Sequence, residues 1–336
     1  MVKRELSRAR SLVILGAWGA LMHVAYSKQR KKDAKNAKLA EKKDRSKILR
    51  PKNRKSWKDH WIVSYLVENG TVWLSVLVRL NLFAPPGQSS ALSTLVSALW
   101  NDRWNMMAQW YLVRHFYSHI PYFKGSEPKI RPFGELFTEF MYVIGISSAQ
   151  LVWVRRKLLP KRKSGWSLRK DLRNIGFLSF SAKLAIVRTV VDSLFFAGHW
   201  VIHRPFLYNW VHKLHHEDVW VNPTSNQHFS IIDFFVEALI PAFLSITTLV
   251  ALKIKTSLLE QSLLLGYVGY LESQSHAGKP SSVSTLIAPI APLYHYILGD
   301  IDRRNVEFHQ VHHERRKCNY SITQWCDNLF GTTRFY

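Results

Sequence analysis

"EFHQVHHERRKCNY", residues 307–320, packs three histidines into five positions ahead of a basic run. A single pair spaced i, i+4 is ordinary, and His115 and His119 in "HFYSH" read as interfacial or core side chains. What sets the late segment apart is its company. Of the chain's 15 histidines, 11 lie between His199 and His313. "HWVIH" supplies His199 and His203, "HKLHH" supplies His212, His215 and His216, and "HQVHH" repeats that spacing as His309, His312 and His313. Residues three and four apart on a helix share a face, so each cluster is expected to aim its imidazoles at one point. Three such faces would build a nitrogen-rich cage, and imidazole suits iron, copper and zinc rather than magnesium or calcium.

Around the histidines the chain is apolar and basic. Of 336 residues 47% are apolar, and the net charge is +24. Lys28–Lys58 holds 15 Lys/Arg against 3 acids, and Arg155–Arg173 holds 9 against 1, so these blocks carry +12 and +8 of the total. Beside apolar runs, such blocks read as cytosolic flanks of membrane segments meeting anionic lipid. Ser11–Tyr26 lacks any charged residue and follows Lys3, Arg4, Arg8 and Arg10, so residues 1–27 read as an anchor or a targeting segment and 28–58 as a basic linker. Residues 59–173 read as membrane-associated helices with a basic loop. Within them Phe133–Val154 is a candidate span, and Trp57–Ala84 and Asn105–Phe123 are expected to be helical. Ile231–Leu252 and Leu258–Leu271, parted by Lys253–Ser257, predict a helical hairpin through the bilayer. A soluble helical protein with apolar core helices is the competing reading. No strand-like alternation runs far, so the fold class is all-α.

The ordered motifs resemble the fatty acid hydroxylase and sterol desaturase superfamily of membrane di-iron enzymes. They are "HWVIH", "HKLHH", "SHAGK" with His276, "HQVHH", Asn319-Tyr320 and "DNLFGT" from Asp327 to Thr332, all within roughly Leu184–Arg334. The resemblance implies a helical integral membrane protein with a cytosolic helical cap holding a histidine-rich di-metal site, in a catalytic domain spanning residues 174–336. Carried over motif by motif, the metal ligands are His199, His203, His212, His215, His216, His276, His309, His312 and His313. His228 in "SNQHFS" stands as a further ligand or as a partner behind the ligands, and His295 in "LYHYI" has no motif around it. Asp192 and Glu217 are candidates for orienting ring nitrogens, with solvated surface acids as the alternative. Relatives often place Trp directly before the terminal Asp, whereas here Cys326 separates Trp325 from Asp327, which puts local packing in question.

The implied cofactors are two iron ions, with zinc as a substitute, and dioxygen. Electrons would come from a separate cytochrome b5 or reductase, because the chain has no His-Pro-Gly-Gly haem stretch, no Walker loop and no G-x-G-x-x-G. The implied reaction is hydroxylation of a lipid or sterol C–H bond. Desaturase and C4-methyl oxidase chemistry, or a non-catalytic membrane subunit retaining the fold, are the alternatives. Expected partners are membrane lipids, the substrate and the electron donor, for which the Arg155–Arg173 block could be a dock. Nucleic acid is not among them, since the Lys28–Lys58 arm offers one aromatic, Trp57, and backbone binding at most. The expected location is the endoplasmic reticulum membrane, with a mitochondrial or plastid membrane second. Cys318 and Cys326 read as reduced thiols.

Overall fold

A computed structural model describes residues 61–82, 112–123, 125–127, 167–279 and 305–335. Among these residues every regular element is helical. They are α1 (Trp61–Leu82), α2 (Leu168–Asn174), α3 (Phe177–Ile202), α4 (Pro205–Val211), α5 (Ile231–Phe234), α6 (Ile240–Ala251), α7 (Leu258–Ser275), α8 (Asn305–Arg315) and α9 (Gln324–Phe330). Single π-helical turns cover Leu112–Phe116 and Phe235–Leu239. The Ser11–Tyr26, Lys28–Lys58 and Phe133–Val154 expectations, and His295, lie outside the described residues.

The 26 residues of α3 carry the fold into the site. Phe180, Leu184, Val187, Val191 and Phe195 are all buried and recur every three or four residues, which places them on one face. They pack on Leu259, Leu263, Leu264, Tyr267 and Leu271 of α7 and share a core with Val72, Val76 and Leu80 of α1. Each such side chain contributes about 1.5–3 kcal/mol on burial. Four residues past Phe195 the same face presents His199, so the stripe that assembles the core ends by delivering an imidazole.

The hairpin predicted from 231–252 and 258–271 is differently disposed. The two segments are helical and break at Lys253, which takes a left-handed φ of 57°, but α7 lies at the centre of the core against α1 and α3 while α6 leans on α3. Helix α7 begins with a capping box, Ser257 and Glu260 bonding each other's backbone N–H, and Glu260 also accepts from Lys183 Nζ at 2.6 Å. With Glu260, Gln261, Gln274 and Ser275 buried it is polar inside. The described helices long and apolar enough to cross a membrane are Leu178–Ile202 and Ile232–Ala251. The first escapes a sequence reading because Lys183, Arg188 and Asp192 punctuate it. In the fold Lys183 is neutralised by Glu260, and Asp192 accepts from the backbone N–H and hydroxyl of Thr323, both at 2.7 Å.

Between α5 and α6 the chain widens into the Phe235–Leu239 turn just before Pro241. Proline has no N–H to return to the carbonyl of residue 237, and a π turn absorbs that loss. Opposite, a Cβ on Gly198 would come within 2.6 Å of Val236 Cγ1. The missing side chain of Gly198 lets the turn close on α3, and the turn in that position brings Glu237 beside His199.

Candidate metal centre

The nine motif histidines converge, though not three motifs on one point as the spacing predicts. They form two groups. His199, His203, His212, His216 and His312 make one, and His215, His276, His309 and His313 the other, with the candidate ligand atoms of each group mutually within 4.8 Å. The reason lies in the i, i+4 rule applied inside each motif. On α8, His309 and His313 share a face and enter the second group, while His312, turned about 100° from His313, enters the first. In "HKLHH" the chain is not a continuous helix: His212 ends α4, and His215 and His216 sit in a 3-10 turn at His215–Glu217. Here His212 and His216 stay together in the first group and His215 crosses to the second. The two His-x2-His-His motifs each give a pair to one group and a single ring to the other, which locks the two groups side by side, while "HWVIH" gives both its rings to the first. His276 caps the C-terminus of α7, followed by Gly278 at φ +67°, where a Cβ would meet the carbonyl oxygens of Ser126 and Val221 at 2.8 and 2.9 Å.

The rings touch through their Nε2 atoms. In the first group the contacts are His199–His212 at 3.0 Å, His199–His203 at 3.1 Å, His203–His216 at 3.2 Å and His216–His312 at 3.1 Å. In the second they are His215–His276 at 3.3 Å, His276–His309 at 3.0 Å and His309–His313 at 3.2 Å. Six rings commit Nδ1 outward to groups that only accept: His199 to the Tyr320 carbonyl (2.6 Å), His215 to His228 (3.2 Å), His276 to Glu272 (3.2 Å), His312 to Cys318 (2.7 Å), His313 to Asp218 (2.8 Å), and His212 to the Asp233 carboxylate (2.7 Å). An accepting partner assigns the proton to Nδ1, leaving Nε2 of the neutral ring with a lone pair and no hydrogen. His199–His212 and His215–His276 are therefore contacts between two acceptors, one in each group. Such pairs repel unless a cation lies between them. A metal about 2.1 Å from two nitrogens at right angles spaces them about 3.0 Å apart, which is the spacing found. The residues present fit two metal ions.

Burial, reinforced by the neighbouring imidazoles, holds His203, His215, His216, His309 and His313 well below the usual histidine range. Burial also brings His276 to about 4 and His312 to about 3. These rings are neutral at pH 7, the state in which a nitrogen can ligate.

Two functional candidates are absent from the histidine motifs. Asp233 and His212 are fully buried and bonded to each other, and Glu237 Oε1 lies 3.4 Å from His199 Nε2 and 3.7 Å from His212 Nδ1. The signal was available: Asp233 and Glu237 are acids four apart in an apolar segment, where ionisable residues are costly and mark function. Asp233→Asn removes the charge that makes His212 a stronger donor. It is expected to weaken metal binding at the first group 10–100-fold while sparing the second. Competition with a chelator of known affinity, following the two metals separately, would detect this, and equal weakening of both would refute it.

Other expectations need correction. His228 joins neither group; its ring pairs with the exposed Glu217 at 3.1 Å, and its carbonyl rather than its ring serves the site. Glu217 therefore orients no ligand. Nor does Asp192, which ties α3 to the start of α9 through Thr323. The "NY" and "DNLFGT" motifs are scaffolding behind the ligands. Asp327 accepts from the Tyr320 and Ser321 N–H at 2.8 and 2.7 Å, and Asn319, at a φ of 56°, donates to the Phe308 and Arg334 carbonyls. Together they fix the loop whose Cys318 and Tyr320 carbonyls hold His312 and His199. Trp325 and Cys326 are both buried in one apolar cluster with Phe196 and Tyr320. His115 and His119 stay apart from both groups.

Comparison with protein families matches residues 184–332, less than half of the chain, to the fatty acid hydroxylase model. Comparison with curated proteins and with solved structures gives no significant match. The matched stretch contains all nine converging histidines, the Leu178–Ile202 helix from Leu184 onward, the whole of Ile232–Ala251, and the Asn319 to Thr332 scaffold. Apolar helices and family together mark a membrane protein. Residues 184–332 form a fatty acid hydroxylase domain, of the fatty acid hydroxylase and sterol desaturase superfamily.

Proposed function

We propose that the chain is a di-iron oxygenase of the endoplasmic reticulum membrane that hydroxylates an unactivated C–H bond of a lipid or sterol, with electrons from a separate cytochrome b5 or reductase. One observation carries the reading: each histidine group contains a pair of buried, acceptor-only nitrogens about one ligand-to-ligand distance apart. Iron bound by His199, His203, His212, His216 and His312, and by His215, His276, His309 and His313, would supply the redox chemistry that cleaves dioxygen. The rest falls to the chain's own groups. Carbonyls of Tyr320, Cys318, Asp218, His228 and Glu272 keep Nδ1 protonated and Nε2 free, so the ligands need no reorganisation. Burial of eight of the nine rings keeps water from the site, with His203 partly open. The Tyr320 ring, 5.3–5.9 Å from His199, His203 and His312, closes one wall.

The balance is one C–H bond, one dioxygen, two electrons and two protons giving an alcohol and one water. Iron-loaded protein in lipid nanodiscs, supplied with a reductant and 18O2, is therefore expected to yield a lipid or sterol alcohol carrying one 18O atom. An alkene without label would assign desaturation instead, and label from water rather than from dioxygen would overturn the reading.

A further inference from the structure

Helix α4 carries two of the most exposed aromatic side chains in the fold, Phe206 at 79% and Trp210 at 80% exposure. It follows directly from the end of one apolar helix, where Trp200 and Val201 are also exposed, and packs beside α5, where the other apolar helix begins with exposed Ile232 and Phe235. The apolar surface of α4 is thus continuous with the outward faces of both candidate spans, at the end where they would leave a bilayer. Its rim is cationic. Arg204 lies 3.5 Å over the Trp200 ring, Arg316 stands 5.6 Å from the Tyr208 ring, and Arg204, Lys213, Arg315, Arg316 and Lys317 are all exposed. Large aromatics bounded by lysine and arginine suit the headgroup layer, where rings sit among acyl ends and cations meet phosphate.

We propose that α4, with Arg204, Lys213 and the Arg315–Lys317 run, is an in-plane anchor that lies in the headgroup layer of an anionic leaflet. The Tyr208 ring is 5.5 Å from that of His203, the least buried of the nine histidines. The anchor therefore sets the exposed edge of the first histidine group at the bilayer surface, within reach of an amphiphile that never leaves the leaflet. The inference rests on the membrane reading of the chain and needs no bound metal.

The test is electron paramagnetic resonance on full-length protein in nanodiscs, with a nitroxide placed by Phe206→Cys or Trp210→Cys. Cys318 and Cys326 are buried, so the introduced thiol takes the label. Both labels are expected to be several times more accessible to oxygen than to a water-soluble nickel chelate, and to sit deeper in phosphatidylserine-containing discs than in pure phosphatidylcholine. Lys213→Gln with Lys317→Gln should abolish that lipid dependence. Labels equally open to the chelate in both discs would overturn the anchor and assign the patch to water or to a docked protein. Failure of the protein to enter discs at all would instead refute the membrane reading.

Discussion

His312→Ala and His313→Ala are expected to strip different metal ions from the protein, although the two residues are adjacent. Wild type should hold about two metals per chain, each single variant about one, and the double variant almost none. His312 belongs with His199, His203, His212 and His216, whereas His313 belongs with His215, His276 and His309. Their outward nitrogens are also held by different carbonyls, those of Cys318 and Asp218. Elemental analysis of detergent-purified protein gives the count, and X-ray absorption on each single variant gives the ligand number of the metal that stays. His312→Gln and His313→Gln, which preserve most of the buried volume, separate loss of a ligand from collapse of the site. Loss of both metals in every single variant would mean one indivisible cluster, and loss of neither would remove the metal reading altogether.

Histidines at i and i+4 are visible as pairs, and their convergence followed from helix geometry. The sorting into two groups was not visible, because it depends on His215 leaving α4's register in a 3-10 turn and on α8 presenting two faces at once. The Leu178–Ile202 helix was masked by Lys183, Arg188 and Asp192. The partners of Lys183 and Asp192, Glu260 and Thr323, lie 77 and 131 residues away, and no local pattern predicts such pairings. Asp233 and Glu237 are legible in principle as two acids four apart in an apolar run, but no histidine motif contains them and their approach to His212 and His199 is tertiary. His228 misled in the opposite direction: the backbone at that position does the work, and its side chain does not.

The metal-free histidine cluster is expected to lose stability as pH falls below about 6.5. In the unfolded chain histidines take up a proton near pH 6.5, while in the fold burial holds His203, His215, His216, His309 and His313 neutral far below that, His276 to about 4 and His312 to about 3. Because the folded-state values of these seven rings are depressed, their contribution to stability is fully present above about pH 6.5 and declines as pH falls toward the folded-state values, while Glu68 and Glu272, pushed up to about 7 by burial, act in the opposite direction by holding protons in the fold. Each proton taken up only by the unfolded chain costs about 1.4 kcal/mol per pH unit, so the rings acting together weigh heavily against a total stability of about 5–15 kcal/mol. Bound metal stabilises only the fold, and protons must first displace it, so the loaded protein should hold to a lower pH. Thermal melts followed by tryptophan fluorescence from pH 7.5 to 4, with and without metal, measure both curves. If the Nε2 contacts were instead N–H···N bonds between mixed tautomers, nothing would be missing from the metal-free cluster. The two curves would then coincide, and a flat metal-free profile above pH 5 would show that the histidines are scaffolding.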